Sequence, residues 1–504
     1  MLDVREITIA QAQDGFRSGS FSARELAAAF LDRIAKWDKA GPRINSTMAL
    51  STIALEEASA LDDFLKENGK FKGKLHGIPV LVKDQADTKG MVTTYGSAVA
   101  KDNVPQEDAF VVTKLKEAGA VILGKTTLAE WASVWFSLSS ANGYEFTKNP
   151  YNLSHDVGAS SGGSGAAVAA NFTILAVGED TGGSIRVPSS FCNIVGLRPT
   201  PGLISRTGFC PLIKTQDTPG PMARTVTDCA LMLDCMVGFD PRDEFTGVAA
   251  TATALRLPRG GSHAAFLQDE VDKIKRAKIG VIRQKFGPDS DPHCQAVNKV
   301  VSAAIDKLAS AGTTFVDVHI DNIDHYMIYP LTYLQRSRSD INSFLATKPH
   351  LPQDIADILP EKTDKPYLST TCAIAHGPKD PRDDPTYIDR ILLRDEFKRK
   401  VDCLIASLGL DALTLPDVRV PPPRFEDATD GRFMKDGVED FPTNTFLASV
   451  TRHPAISVPA GFTEDGLPVG MELIALEYQE QHLLELAYGV ETIVGARMAP
   501  PKPL

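Results

Sequence analysis

The stretch that most constrains this chain is Gly158–Thr200, GASSGGSGAAVAANFTILAVGEDTGGSIRVPSSFCNIVGLRPT. It carries two Ser/Gly clusters, Gly158-Ala159-Ser160-Ser161-Gly162-Gly163-Ser164 and Asp180-Thr181-Gly182-Gly183-Ser184, separated by Ala166–Val177, rich in Ala and Val. Small residues let a helix and a strand pack closely, and glycine reaches backbone angles closed to other residues. Successive N–H groups in such a loop can turn inward to form a nest for an oxyanion. Ser184 follows Gly182-Gly183, so its hydroxyl could attack a carbonyl while the N–H groups of Thr181, Gly182, Gly183 and Ser184 hold the oxygen. The chemistry is expected here.

Similar local signals lie on both sides. Upstream is Leu75-His76-Gly77-Ile78-Pro79-Val80-Leu81-Val82-Lys83-Asp84, and downstream is Gln216-Asp217-Thr218-Pro219-Gly220-Pro221-Met222-Ala223-Arg224. Near the C-terminus stand Pro454-Ala455-Ile456-Ser457-Val458-Pro459-Ala460-Gly461 and Gly466-Leu467-Pro468-Val469-Gly470. In this order they resemble the amidase signature family, Ser/Lys hydrolases of amides, over most of the chain. The resemblance implies a single large domain over residues 1–504, with a signature core at about 70–240 and a variable, pocket-shaping region at about 320–375. It also implies roles. The serine at the position of Ser184 is the nucleophile, that of Ser160 takes part in a cis peptide and bridges to the lysine, and Lys83 is the general base.

The physics is compatible with those roles. A solvated lysine stays protonated near neutral pH and is no base. Burial at the end of the apolar run Ile78–Val82 would lower its pKa, and the neutral amine could take the Ser184 proton through Ser160 and return it to the leaving nitrogen. Alone, Lys83 would read as a solvated strand-end lysine. Asp180 and Arg186 flank the nucleophile and could form an ion pair that shapes its loop; direct substrate contact by Arg186 is the alternative. Asp84 could tune Lys83 or merely cap a turn. Trp131, Trp135, Phe136 and Tyr144 form either an aromatic pocket wall or ordinary loop packing. Against the usual family pattern, Gln85 and Thr127 stand where Asn is common, and Thr451-Arg452-His453 precedes Pro454 where Gly is common.

Along the chain, Ser22-Ala23-Arg24-Glu25 is a capping box, followed by Leu26, Phe30, Ile34 and Trp37 at helical spacing. Helices are expected at Ala54–Lys66, Phe110–Ala118, Thr225–Met236, Cys294–Ala311, Thr386–Ser407 and Gln479–Ile493. Strands are expected at Ile78–Val82, Ala120–Leu123, Lys278–Arg283, Thr314–His319 and Leu413–Pro416, with a loop and strand over His453–Gly461. Asp243–Asp269 reads as loop, and Tyr326–Ser369 as helix-like patches among prolines. Alternating strands and helices indicate an α/β fold with a largely buried sheet; the family resemblance makes that sheet mixed and surrounded by helices.

Composition narrows the function classes. Of the 504 residues, 43% are hydrophobic and 23% charged, as in soluble globular proteins. A net charge of −11 argues against a general nucleic-acid binder. Met1–Glu6 lacks the layout of a signal peptide, no apolar run reaches the roughly 18 residues of a membrane span, and a cytoplasmic location is the default. Seven scattered cysteines, without a C-x-x-C pair, speak against a disulfide framework, and Cys192 reads as a small buried apolar residue. The ten histidines form no H-x-x-x-H or H-E-x-x-H, so no metal and no cofactor is expected. The implied partner is a small-molecule amide substrate, with no nucleic acid and no membrane, and a homodimer is possible.

Other readings compete. Gly119–Thr126 fits the phosphate-loop pattern G-x-x-x-x-G-K-[ST], but its interior residues are themselves strand-like, and a helix rather than a strand precedes them. Gly158–Gly162 fits G-x-S-x-G, which would make Ser160 the nucleophile of an α/β-hydrolase esterase, with Asp417 and His453 as partners; the polar Asn149–Asp156 before it is unlike the strand an elbow requires. Within the family, the alternative is the glutaminase component of a tRNA-dependent glutamine amidotransferase. An inactive binding protein is the last, opposed by the joint presence of Lys83, Ser160 and Ser184.

Overall fold

Strand-forming runs with apolar residues on both faces must be covered on both faces, and here they assemble into one sheet. In the computed structural model, which describes residues 2–254, 258–268, 271–433 and 441–501, the strands are β1 (Thr47–Leu50), β2 (Pro79–Lys83), β3 (Val121–Thr126), β4 (Lys148–Asn149), β5 (Asn152–Asp156), β6 (Leu175–Asp180), β7 (Val195–Arg198), β8 (Thr218–Ala223), β9 (Lys278–Val281), β10 (Thr314–Asp317), β11 (Ala412–Pro416), β12 (Ala455–Phe462) and β13 (Pro468–Ile474). Eleven of them form the order β1-β3-β2-β6-β8-β7-β12-β13-β11-β9-β10, and β4 and β5 pair separately. The sheet is mixed: β2 runs parallel to β3 and β6, whereas β8 is antiparallel to both β6 and β7. Every residue of β2, β6, β8 and β11 is buried. The α/β architecture expected from the sequence, a mixed sheet surrounded by helices, is the one found.

Most expected elements recur with shifted ends. The helices at 226, 292, 387 and 480 are Val226–Met236, Pro292–Ala311, Tyr387–Leu408 and Glu480–Val494. The Ser22 capping box closes reciprocally, Glu25 N–H donating to Ser22 Oγ at 3.1 Å and Ser22 N–H to Glu25 Oε2 at 2.8 Å. Two differences are informative. The segment read as loop from Asp243 contains the helix Phe245–Ala254, followed by Val271–Arg276; its Ala- and Thr-rich sequence lacks the polar alternation that marks a surface helix. Asp269 itself lies outside the described residues.

The second difference is β8, which no strand pattern announced because it reads TPGPMA. Its ladder to β6 is continuous from Leu175↔Ala223 to Asp180↔Thr218, whereas β7 pairs only at Met222 and Ala223. The two prolines therefore lie where one side needs no N–H donor, the condition under which proline enters a sheet.

β3 extends through Gly124-Lys125-Thr126, so these residues form no loop. The buried Lys125 ammonium donates to Ala86 O at 2.5 Å and Thr93 Oγ1 at 2.9 Å and lies 3.6 Å from Asp84 Oδ1. The phosphate-loop reading ends there.

Candidate active site

Adjacent parallel strands bring two functional ends together. β2 ends at Lys83, and its neighbour β6 ends at Glu179-Asp180 and runs directly into Thr181–Ser184. The other serine cluster enters through the helix Gly162–Ala169, preceded by a cis peptide bond between Ala159 and Ser160. Ser161 ties the clusters together: its N–H donates to Ser184 O at 3.1 Å and its hydroxyl to Glu179 O at 3.1 Å.

Lys83 and Ser160 are fully buried, and Lys83 Nζ lies 2.8 Å from Ser160 Oγ. The amine also reaches Glu179 O at 3.2 Å and Glu179 Oε2 at 3.4 Å. Burial pulls its pKa below the ordinary lysine value, with Glu179 acting in the opposite direction. Ser184 is 6% exposed, the one residue of the three that solvent reaches. Its Oγ forms no hydrogen bond with the described residues.

The loop before Ser184 is held from below. Asp180 accepts from Gly183 N–H at 2.9 Å, Ile185 N–H at 3.1 Å, Arg186 Nε at 3.1 Å, Arg186 Nη2 at 3.0 Å and Arg198 Nη1 at 2.9 Å. Burial works against its charge, but Arg186 and Arg198 outweigh it and hold the carboxyl below its ordinary range. Gly183 N–H is thus engaged by Asp180, a correction to the four-donor oxyanion nest; those of Thr181, Gly182 and Ser184 are not held by that carboxylate. Arg186 is fully buried, and its other donors go to Glu472 Oε1 at 2.5 Å, Thr445 O at 2.9 Å and Ser449 Oγ at 2.7 Å. The ion-pair reading of Asp180 and Arg186 matches this geometry, and a substrate contact by Arg186 does not. Arg198, Glu472 and Glu179 are partners that sequence reasoning missed.

Gly183 has φ of 138°, and a Cβ there would come 2.0 Å from Thr445 Oγ1. At Gly182 a Cβ would meet Tyr333 Oη at 2.3 Å and Phe446 at 3.0 Å. Phe446 meets Trp135 edge-on at 5.6 Å, and Trp135 stacks on Phe441 at 4.9 Å, which Phe136 meets at 6.1 Å. Trp135 and Phe136 therefore belong to an aromatic cluster abutting the Thr181–Ser184 loop. Trp131 is buried against Tyr95 with φ of 48°, while half-buried Tyr144 lies apart, against Tyr367 and beneath Lys365.

A cavity of about 540 Å³ reaches Glu179 and Asp217, with Gln85, Cys210, Arg336 and Phe344 in its wall. Arg336 and Phe344 come from the helix Tyr333–Leu345.

The elbow constellation is not assembled. His453 pairs through Nδ1 with Thr451 Oγ1 at 2.7 Å and through Nε2 with Asp402 Oδ1 at 2.7 Å, and Asp417 Oδ2 accepts from Ser457 at 2.8 Å. Ser160 faces Lys83 instead. Among the described residues no helix is long and apolar enough to cross a membrane.

The mixed sheet thus carries a buried lysine, two serine clusters and a glycine-rich loop at one place. The chain belongs to the amidase signature family, enzymes that hydrolyse amide C–N bonds: the family model Amidase matches residues 25–484. It is 31% identical to the A-type component of the Glutamyl-tRNA(Gln) amidotransferase of Koribacter versatilis, over 98% of this chain and 100% of that one. The native peptide amidase of Stenotrophomonas maltophilia superposes with a TM-score of 0.82 at 30% identity, covering 99% of both chains. The A-type component of the Glutamyl-tRNA(Gln) amidotransferase of Thermotoga maritima superposes with a TM-score of 0.74 at 25% identity, covering 100% of this chain and 98% of that one.

Proposed function

We propose that this enzyme hydrolyses a small carboxamide or N-acyl amide, and related esters or carbamates, through an acyl-Ser184 intermediate. The observation that carries the reading is the 2.8 Å contact between the buried Lys83 Nζ and Ser160 Oγ, beside the partly open Ser184. Neutral Lys83 accepts the Ser160 proton as Ser160 accepts that of Ser184, and Ser184 Oγ bonds to the carbonyl carbon. The N–H groups of Thr181, Gly182 and Ser184 stabilise the oxyanion. On collapse the C–N bond breaks, and the leaving nitrogen takes the proton back along the same path. Water then attacks the acyl-serine, its proton passing to Lys83, and Ser184 is released with the acid.

The test is intact mass after brief exposure to a serine-reactive fluorophosphonate. Labelling is expected in the wild type, to persist weakened in Ser160→Ala, and to vanish in Ser184→Ala and Lys83→Ala. Labelling that depends on Ser160 but ignores Ser184 overturns the assignment.

A second reading has one observation in its favour, the similarity to the A-type components of amidotransferases over nearly the whole chain. The peptide amidase structure, at the higher TM-score, supports the stand-alone reading. Hydrolysis of peptide amides or acyl amides by the isolated chain separates the two; ammonia release from glutamine only with added partner chains favours the amidotransferase.

A further inference from the structure

The carboxylate of Glu179 stands beside the amine of Lys83 and has no role in the scheme above. Both are fully buried, with Oε2 3.4 Å from Lys83 Nζ. The other oxygen, Oε1, lies 3.2 Å from Thr181 Oγ1, which in turn lies 2.6 Å from Asp217 Oδ1. A hydroxyl has one hydrogen to donate, so both contacts of this row are hydrogen bonds when one of the two carboxyls carries a proton. Asp217 is the group placed to hold it, because Lys83 stands beside Glu179, whereas among the described residues Asp217 forms no ion pair and meets only N–H and hydroxyl partners. Burial, and then the charge of Glu179, push the Asp217 carboxyl well above its ordinary range; burial raises the Glu179 carboxyl too, but there Lys83 acts in the opposite direction. With Asp217 donating to Thr181 and Thr181 to Glu179, the carboxylate facing Lys83 is Glu179.

The other charged or titratable groups that Glu179 senses are Asp180 next to it on β6, Arg198 of β7, and the buried Tyr333 and Cys210. Arg198 is already engaged by Asp180. That leaves Lys83 as the cation that Glu179 directly meets.

We propose that Glu179 is a positioning residue for the base: its carboxylate holds Lys83 against Ser160 and stabilises the ammonium formed when Lys83 takes the nucleophile's proton. The logic is that of the aspartate behind the histidine of a serine-protease triad, transferred to a lysine. This rests on Lys83 being the base. It carries two opposed signatures. The anion favours protonated Lys83 and so holds the acid limb of the pH profile at higher pH, yet it also stabilises the charge that develops during attack and so raises the plateau.

The rate of fluorophosphonate labelling of Ser184, followed by intact mass from pH 5 to 10, reads both. In Glu179→Gln the acid limb moves down by roughly one pH unit or more and the plateau falls about tenfold or more. Glu179→Thr, with a smaller side chain, moves the limb the same way. Asp217→Asn, which keeps a donor toward Thr181, leaves the limb in place. A limb in Glu179→Gln that coincides with the wild type or moves up overturns the proposal, as does an equal shift in Asp217→Asn. Cooperative urea unfolding of each variant separates these outcomes from misfolding. Labelling that persists in Lys83→Ala instead sinks the base assignment itself, whereas labelling lost there with an unshifted Glu179→Gln profile sinks only this inference.

Discussion

Replacing Asp180 with Asn tests whether the nucleophile loop is held by a buried charge. The substitution keeps the shape and one acceptor oxygen, but removes the anion shared by five donors. Arg186 retains Glu472 at 2.5 Å. Arg198 does not fare as well: its remaining partners are two neutral carbonyls, those of Asp180 and Gln216, and it is fully buried. A stranded buried charge costs about 3–5 kcal/mol. The hydrogen bonds from Gly183 and Ile185 add about 1 kcal/mol each where the amide misdirects its NH₂, although these losses share one site and do not simply sum. Asp180→Asn is therefore expected to lower the stability by about 3–5 kcal/mol in urea titrations followed by fluorescence and circular dichroism. Labelling of Ser184 should slow in parallel, since Gly183 and Ile185 lose their anchor. The charge argument makes a sharper claim about the double variant: adding Arg198→Met removes the stranded cation, so Asp180→Asn with Arg198→Met should be more stable than Asp180→Asn alone. A loss under about 1 kcal/mol in the single variant, or a double variant weaker than the single, refutes the reasoning.

Other outcomes follow from single contacts. Gly182→Ala should abolish most Ser184 labelling, because its Cβ would meet Tyr333 Oη at 2.3 Å; adding Tyr333→Phe should restore part of it, and an absence of rescue would place the obstruction elsewhere, such as at Phe446. His453→Asn should spare labelling while costing about 1–3 kcal/mol from the Thr451 and Asp402 contacts; loss of labelling in a folded variant would revive the elbow scheme. Burial pushes the Asp156 carboxyl up to about 7 despite N–H donors from Ser137 and Gly158. A carboxyl whose folded pKa is raised contributes stability at low pH that is lost as pH climbs from the unfolded toward the folded value. Between pH 5 and 7, Asp156→Asn should flatten the decline in unfolding free energy from urea titrations by up to about 1.4 kcal/mol per pH unit; a slope equal to the wild type would show that Asp156 is not protonated in the fold.

What could be read from the residue order, and what could not, divides along a physical line. Lys83, Ser160 and Ser184 were legible because the apolar run and the two Ser/Gly clusters are local patterns, and local patterns survive in one dimension. Trp135 was legible as an aromatic but not as a neighbour of Gly182, since the link runs through Phe446, far along the chain. β8 was hidden by its prolines, whose tolerance depends on where β7 stops pairing. The helix Phe245–Ala254 was hidden by a run of small residues that satisfy no periodicity.

The buried ions were the least legible, for the same reason that they matter most. Glu179, Arg198 and Glu472 look in sequence like any surface charge, and charged residues are rarely fully buried unless paired. Whether each is paired is decided by strands that meet only in the folded sheet: β6 sets Asp180 and Glu179, β7 sets Arg198, and β13 sets Glu472. Arg186 and Arg198 hold Asp180 ionised and the Gly-rich turn fixed, with Glu472 pairing Arg186, while Glu179 on the preceding residue turns its side chain the other way, toward Lys83. Alternation along one strand thus separates two jobs. In the proposed mechanism, one acid anchors the backbone that carries the nucleophile, and its neighbour addresses the base. A one-residue slip of β6 against β2 and β8 would exchange them, which is why the continuous ladder to the proline-bearing β8 bears on chemistry as well as on fold.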